Sequence, residues 1–228
     1  MAHVSKCTTS VVDADSPAAC RPKVDVLILS GGQSRRMGQD KAWIEWQGRA
    51  LILRVADRAR SQRVVQPSTL WVSCSTRNLE KARLYFENTL LDNPAFQGDG
   101  PLAGIHAGMD ASRSDWLWVL PCDAVSFSDD LLSRLLSLAL SEPEIDAVTL
   151  SSHDHDGTVQ SHPVWALISR RTLPMLTQCL EKKCLKVASF LESINTRTLA
   201  LRPNEILSNI NRPEDLPDDS VKSADDSW

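Results

Sequence analysis

The stretch VDVLILSGGQSRRMGQDK at residues 24–41 joins an apolar run to a glycine-rich, basic loop. The run VDVLIL (24–29) predicts a β-strand that is buried on both faces. Glycine lets the backbone approach a ligand without a Cβ in the way, and successive exposed N–H groups attract anions. The loop therefore predicts a cradle for a nucleoside triphosphate, formed by three glycines and three cations: Gly31, Gly32, Gly38, Arg35, Arg36 and Lys41.

Two common phosphate-binding loops do not match this pattern. A Walker A loop has Gly-Lys-Ser/Thr at its end, whereas Gly38 is followed by Gln39, Asp40 and only then Lys41. The dinucleotide fingerprint needs a residue between its first two glycines, which are adjacent in this chain. An ordinary glycine turn with solvated basic residues is the simpler alternative. The length of the loop, its three cations and its place directly after a core strand favour the phosphate site.

Short apolar runs alternate with amphipathic stretches through the rest of the chain. The predicted strands are 24–29, 70–74, 116–121, 146–150, 162–169 and 197–201. The predicted helices are 49–62, 78–88, 102–111, 129–140, 171–180 and 186–192. Repeated strand and helix predict an α/β fold of three layers, with a mostly parallel central sheet and helices on both faces. Ligands of such sheets bind beyond the carboxyl ends of the strands.

Both ends of the chain lack this alternation. Residues 1–21 are small and polar, and residues 217–228 are acidic, so neither segment can bury enough apolar surface to offset its ordering entropy. We therefore expect a flexible N-terminal tail, one domain over 22–216 and a flexible acidic C-terminal tail. A length of 228 residues suits one such domain.

Charge and composition exclude several classes of partner. The net charge is −4, and residues 214–228 hold six acids and one base, so the body of the chain is close to neutral. A nucleic-acid partner is not expected because there is no basic surface for phosphate backbones. No apolar run approaches the ~20 residues that span a bilayer, and the N-terminal residues lack the charged start and apolar stretch of a signal peptide, so we do not expect secretion. We expect a cytoplasmic protein with no membrane partner, whose six scattered cysteines stay reduced.

A second candidate site residue follows the most apolar of the predicted strands. In WLWVLPCDA, Asp123 lies two residues beyond the strand 116–121. A carboxylate that leaves a buried strand at the ligand edge is suited to Mg²⁺, which takes one or two carboxylates together with phosphate oxygens. An N-cap of the helix near 129–140 is the alternative, although Ser128 is closer to that helix.

The glycine-rich loop resembles the signature of the molybdenum cofactor guanylyltransferase family, L-[AS]-G-G-x-S-x-R-M-G-x-D-K, from Leu29 to Lys41. This family consists of nucleotidyltransferases with a Rossmann-like fold. The resemblance implies that the backbone at Leu29, Ser30, Gly31 and Gly32 meets the nucleotide and that Lys41 meets its phosphates. Related cytidylyltransferases usually have alanine at the position of Gly31, so the double glycine resembles the guanine-selective branch.

Further segments carry the same resemblance. LPCD is similar to the family's metal-binding P-C-D motif, which implies that Asp123 binds both the metal and the nucleotide. GPLAG, beginning at Gly100, resembles a turn near the nucleotide, and Asp92 matches a nucleotide-contacting Asp, with Asn93 and Asp99 as weaker candidates. Many relatives have Asn after the strand 70–72, where this chain has Ser73.

Two further segments resemble family motifs that imply contact with the acceptor substrate. SHPVWAL supplies His162, and NINRPEDL supplies Asn209 and Asn211. The two asparagines could equally cap a short helix after Pro213, because Asn is a common N-cap residue.

The resemblance implies transfer of GMP from GTP to the terminal phosphate of molybdopterin, with Mg²⁺ as cofactor and release of pyrophosphate. Lys41, Asp123 and Arg36 are the expected catalytic residues, although the sequence does not decide between Arg35 and Arg36. Expected partners are GTP, molybdopterin and proteins of molybdenum cofactor biosynthesis or cofactor acceptors. The alternatives are a related nucleotidyltransferase that uses CTP or another acceptor, and a nucleotide- or molybdopterin-binding protein without turnover.

Overall fold

The structure is a computed structural model that describes residues 22–31, 40–153, 156–203, 205 and 207–209. Its strands are β1 Val24–Ser30, β2 Glu45–Trp46, β3 Arg49–Ala50, β4 Leu70–Cys74, β5 Asn88–Leu90, β6 Trp116–Pro121, β7 Ala124–Ser126, β8 Ala147–His153, β9 Val159–Ser169, β10 Thr196–Ala200 and β11 Ser208–Asn209. Its helices are α1 Leu51–Arg60, α2 Leu79–Arg83, α3 Pro101–Ala111, α4 Leu131–Ala139, α5 Leu173–Glu181 and α6 Val187–Glu192.

The central sheet has seven strands in the order β10-β8-β9-β6-β1-β4-β5. Strand β9 is antiparallel to both of its neighbours, and the other pairs are parallel. The antiparallel pairing of β8 with β9 follows from the short connection between them, because a parallel crossover needs about a dozen residues or more. The predicted mostly parallel sheet is confirmed.

Helices cover both faces of this sheet and complete three layers. Val26 and Ile28 of β1 pack on one side with residues of α1 and α4, whereas Leu27 packs on the other side with residues of α3, α5 and α6. Side chains alternate along a strand, so a continuous apolar run such as VDVLIL feeds both layers of the core. Within the described ranges, no helix is both long and apolar enough to cross a membrane.

Two predicted helices are shorter than their patterns suggested. Predicted helix 49–62 begins only at Leu51, because β2 and β3 form a hairpin around Gln47 and Gly48, whose φ angles are 51° and 70°. Two positive φ angles at a two-residue loop are the usual geometry of a tight hairpin. Predicted helix 78–88 ends at Arg83, because residues 88–90 pair with β4 as the edge strand β5.

Candidate active site

Three parallel strands, β1, β4 and β6, end at the same edge of the sheet. Leu29 near the end of β1 lies opposite Ser73 of β4 and Pro121 of β6. Gly31 and Asp123, which follow β1 and β6, therefore come to one side of the sheet, where ligands of such folds bind.

Lys41 and Asp123 meet at this edge as an ion pair between Lys41 Nζ and Asp123 Oδ2. Their side chains are only 18% and 9% exposed, so water screens the pair weakly. A tight turn holds the carboxylate in place: Cys122 N donates to Leu29 O at 3.2 Å and Val125 N donates to Asp123 O at 2.9 Å. The loop cation and the strand-end carboxylate that the sequence assigned to one site thus lie in direct contact.

Asp123 does not cap the following helix. Helix α4 begins at Leu131, and its residue Leu132 donates its backbone N–H to the buried Gln62 Oε1 at 2.9 Å. Gln62 also donates from Nε2 to Ser128 O at 3.1 Å, which fixes α1 against the start of α4. The geometry therefore leaves Asp123 with the ion pair rather than with a structural cap.

The residues at this edge fit a magnesium ion that is shared with a substrate. Mg²⁺ is commonly held by one or two carboxylates plus phosphate oxygens, and Asp123 offers one such carboxylate. Among the described residues, no group of three His, Cys, Asp or Glu side chains forms a complete metal centre. Of the side chains that the structure describes, Asp123 would be the carboxylate that holds such an ion.

The end of β1 and the adjacent strand β4 present small side chains to this edge. Ser30 is 3% exposed, and its Oγ has no hydrogen-bond partner within the described part of the chain. A Cβ added to Gly31 would meet Ser73 Oγ and Cys74 C at 4.0 Å, an ordinary contact. The fold thus does not require glycine at position 31. Ser73 is buried against α3, since a Cβ on Gly104 would lie 2.7 Å from Ser73 Oγ.

Two of the three candidates near α3, Asn93 and Asp99, have structural roles of their own. Asn93 Oδ1 accepts from Ala95 N at 3.0 Å and caps a short turn, while Asp99 pairs with Lys183 at 2.8 Å. Burial raises the pKa of Asp92, and a hydrogen bond from the Gly98 backbone opposes that rise. Asp92 thus stays the preferred candidate for nucleotide contact.

Gly100 has the conformation that the GPLAG turn requires. Its φ of 78° lies in the region that favours glycine, and Pro101 follows as the first residue of α3. The predicted tight turn into a helix is confirmed, whereas its contact with a nucleotide stays a prediction.

The acceptor candidates come from two separate strands. His162 lies in the first half of β9, where its Nε2 is 2.8 Å from Ser152 Oγ and its backbone O accepts from Thr149 Oγ1 at 3.1 Å. Asn209 pairs through its backbone with Ala124, the residue after Asp123. Three predicted site residues lie outside the described residues: Gly32, Arg36 and Asn211.

Sequence reasoning missed one residue near the site. Asn78 Nδ2 donates to Asp40 Oδ2, immediately before Lys41. The two residues are 38 positions apart and share no motif. The one available signal was the position of Asn78 shortly after β4, a strand that ends at the ligand edge.

Cys122, the neighbour of Asp123, has the properties of a packing residue. Desolvation and the adjacent carboxylate raise the pKa of its thiol to about 12. A thiol needs a lowered pKa to act as a nucleophile near neutral pH. Cys122 therefore stays protonated beside the site.

Comparisons with known proteins match most of the chain. Residues 26–198 match the family model described as "MobA-like NTP transferase domain". A "Molybdenum cofactor guanylyltransferase" of Pseudomonas putida is 34% identical over 199 residues, which cover 85% of this chain and 95% of that protein. A protein of the same name from Pseudomonas paraeruginosa is 44% identical over 126 residues, 54% of this chain and 60% of that protein.

A solved structure shares the fold. The chain resembles "Molybdopterin-guanine dinucleotide biosynthesis protein A" of Archaeoglobus fulgidus with a TM-score of 0.66 and 22% sequence identity. The match covers 84% of this chain and 94% of that one.

Proposed function

The chain belongs to the family of MobA-like NTP transferase domains, and from this premise we propose that it is a molybdenum cofactor guanylyltransferase. It transfers GMP from GTP to the terminal phosphate of molybdopterin and releases pyrophosphate. The observation that carries the proposal is the convergence of Lys41 and Asp123 at the carboxyl ends of β1 and β6.

The reaction asks for alignment and charge stabilisation more than for covalent chemistry by the protein. A phosphate oxygen of molybdopterin forms a bond to the α-phosphorus of GTP. The bond from that phosphorus to the oxygen bridging the β-phosphate breaks, and its electron pair leaves with pyrophosphate. The negative charge that builds on pyrophosphate must therefore be met by fixed cations.

Lys41 is the first such cation that we assign. Its ammonium lies beside Asp123 and is mostly shielded from water, which strengthens its interaction with a phosphate. We assign Arg36 as a second cation. Asp123 would hold Mg²⁺, which when bound neutralises phosphate oxygens at the reacting end of GTP.

The nucleotide is proposed to lie along the ends of β1 and β4 and the start of α3. Backbone groups of Leu29, Ser30, Gly31 and Gly32 would meet it from β1 and the loop. The remaining proposed nucleotide contacts are Ser73, Asp92 and Gly100. His162, Asn209 and Asn211 would receive the acceptor from the side of β9 and β11.

A direct test is to incubate the protein with molybdopterin, Mg²⁺ and each nucleoside triphosphate in turn. Mass spectrometry should detect a product enlarged by GMP, with pyrophosphate formed in equal amount and only in the presence of GTP and Mg²⁺. A product enlarged by CMP would identify a cytidylyltransferase instead. Tight GTP binding without any product would show a binding protein that lacks turnover.

A further inference from the structure

Lys41 opens a 3₁₀ turn, Lys41–Trp43, whose start is fixed by the residue before it. Asp40 Oδ1 accepts from Ala42 N at 3.1 Å, and Asp40 O accepts from Trp43 N at 3.0 Å. The direction of the Asp40 carboxylate therefore sets the direction in which Lys41 leaves the backbone.

Asn78 holds that carboxylate from a different part of the chain. Asn78 occupies the N-cap position of α2, where an asparagine side chain ordinarily accepts a hydrogen bond from the helix backbone. It makes no such bond, and its Nδ2 donates to Asp40 Oδ2 instead. The helix loses a cap, and the turn that carries Lys41 gains a partner.

The backbone of Asn78 is fixed, so its amide is presented from a rigid corner. Asn78 N donates to Ser75 O at 3.1 Å, and Asn78 O accepts from Ala82 N at 2.8 Å. The corner follows β4 directly, and Cys74 at the end of β4 lies opposite Ser30 of β1. Asn78 thereby connects the position of Lys41 to the central sheet.

The far end of the same turn is held by the α2 region as well. Lys81 Nζ lies 4.6 Å from the centre of the Trp43 ring, a cation–π distance. The Tyr85 ring lies 5.6 Å from the Trp43 ring, centre to centre. Both ends of the Lys41–Trp43 turn are therefore held by residues in or next to α2, namely Asn78, Lys81 and Tyr85.

We propose that Asn78 is a positioning residue for nucleotidyl transfer, which aligns Lys41 with the phosphates through Asp40. This inference rests on the proposed function, because it assigns Asn78 to the same reaction. Asp40 is partly buried, and a hydrogen bond to a desolvated carboxylate contributes more than one in water. The amide of Asn78 therefore adds to the stabilisation that this carboxylate receives from the backbone of Ala42 and from the charge of Lys81.

Replacing the amide tests the proposal. In Asn78→Ala, kcat should fall about tenfold, as expected when a hydrogen bond to a charged group is lost and a phosphate-binding cation shifts. KM for GTP should change less than about threefold, because Lys41 acts mainly on charge that develops during the reaction. Asn88→Ala, which removes a half-buried amide from β5, is the matched control and should keep wild-type kcat.

Two further variants separate positioning from a general defect of the fold. Asp40→Asn combined with Asn78→Asp rebuilds the bond with donor and acceptor exchanged, so it should recover most of the kcat that Asn78→Asp alone loses. Adding Asn78→Ala to Lys41→Ala should lower the residual rate less than about twofold, because the group being positioned is already gone. If Asn78→Ala caused a general folding defect, it would lower the rate by the same factor in wild type and in Lys41→Ala.

One readout needs no activity at all. Acetic anhydride labels lysine side chains, and peptide mass spectrometry reports the rate at Lys41, whose ammonium is held against Asp123. This rate should rise several-fold in Asn78→Ala and stay at the wild-type value in Asn88→Ala. Wild-type enzyme that makes no product would refute the proposed function, whereas active wild type with unchanged kcat and unchanged Lys41 labelling in Asn78→Ala would refute the role of Asn78.

Discussion

Lys41 and Asp123 hold opposite charges at a place with little water and form an ion pair there. Removing either one takes an adjacent opposite charge away from a poorly solvated partner. The same two groups would meet the substrate phosphates, so their loss should affect turnover well beyond its effect on stability.

Lys41→Ala and Asp123→Ala should each lower kcat by about 10²- to 10³-fold, the usual effect of removing one preorganised charge. Pyrophosphate release measures the rate, and circular dichroism checks that the fold is kept. Arg197→Ala removes a cation from an exposed pair with Glu142 and should leave the rate unchanged. Near-normal turnover in either of the first two variants would contradict their roles.

The buried thiol of Cys74 makes the free energy of unfolding depend on pH. Desolvation is the main cause that raises the pKa of its thiol from 9.0 to about 11. Above pH 9 the unfolded chain loses this proton while the folded chain keeps it, so unfolding becomes easier as pH rises from 9 to 11. The contribution is up to ~1.4 kcal/mol per pH unit.

Denaturant unfolding of wild type and Cys74→Ala between pH 8 and pH 11 measures this contribution. The difference in free energy of unfolding between the two proteins should shrink as pH rises above 9. A difference that stays constant over this range would show that the thiol is not held protonated.

The motifs supplied candidate site residues from the sequence, but they did not supply Asn78, which belongs to no motif. Lys41 and Asp123 stand in local patterns whose chemistry is readable from residue type and from position after a strand. Asn78 acts through a contact with Asp40 that no spacing predicts, because tertiary folding brings the two together. The roles of the candidate site residues stay predictions, and Gly32, Arg36 and Asn211 also lie outside the described residues.

Helix α3 lies close to the sheet because two of its glycines face it. A Cβ on Gly104 would lie 2.7 Å from Ser73 Oγ and 2.9 Å from Leu29 Cδ2, and a Cβ on Gly108 would lie 2.7 Å from Leu27 Cδ2. The two positions are one helical turn apart. They differ in depth, since Gly104 faces the ligand edge and Gly108 faces the core.

Gly104→Ala and Gly108→Ala form a matched pair. Each gains about 1 kcal/mol of helix propensity but overpacks the interface, which costs about 1–3 kcal/mol, so both should lose up to ~2 kcal/mol of stability. Only Gly104→Ala displaces Ser73 and Leu29, so it alone should lower kcat/KM for GTP. Equal activity of the two variants, measured on folded protein, would contradict this assignment.

At the level of elements, the alternation of apolar runs predicted six of the seven strands of the central sheet and all six helices that the structure describes. The short strands β5, β7 and β11 were not predicted, because they form only by pairing with strands elsewhere in the chain. Residues 88–90 are extended because β4 offers them an open edge, and β7 forms because β11 returns to pair with it.

The chain after β10 returns to the active edge of the molecule and is anchored on the way. Glu205 accepts hydrogen bonds from Arg134 Nη1 at 2.7 Å and from Ser128, both near the start of α4. Burial would raise the pKa of Glu205, but the bonds from Ser128 and Arg134 lower it below 4.5 overall. This anchor precedes β11, which lies beside the turn that carries Asp123.

Glu205→Gln should lower the free energy of unfolding at pH 7 by about 1–3 kcal/mol, as a charge-assisted bond becomes a neutral one. A lowered pKa means that the contribution is complete above pH 4.5 and is lost as pH falls through the folded value. Urea titrations at pH 7 and pH 3.5 should therefore show a difference between wild type and variant that shrinks in acid. An equal difference at both pH values would argue against the ion pair.

For the whole molecule, the three-layer architecture was predictable because strands and helices alternate with short links. The domain limits at 22 and 216 stay predictions. The direction of β9 was harder to predict than its presence, because an apolar run has the same pattern in a parallel and in an antiparallel strand. Only the short link to β8 indicates the reversal.

That reversal has a consequence for how the family can diversify. With β9 running backwards, the link from β8 to β9 opens at the same rim as the loops after β1 and β6. Residues inserted in that link would remodel the wall beside the proposed acceptor site and leave the proposed nucleotide half, β1, β4 and α3, unaltered. One scaffold can in this way keep its donor while exchanging the molecule that receives the transferred group.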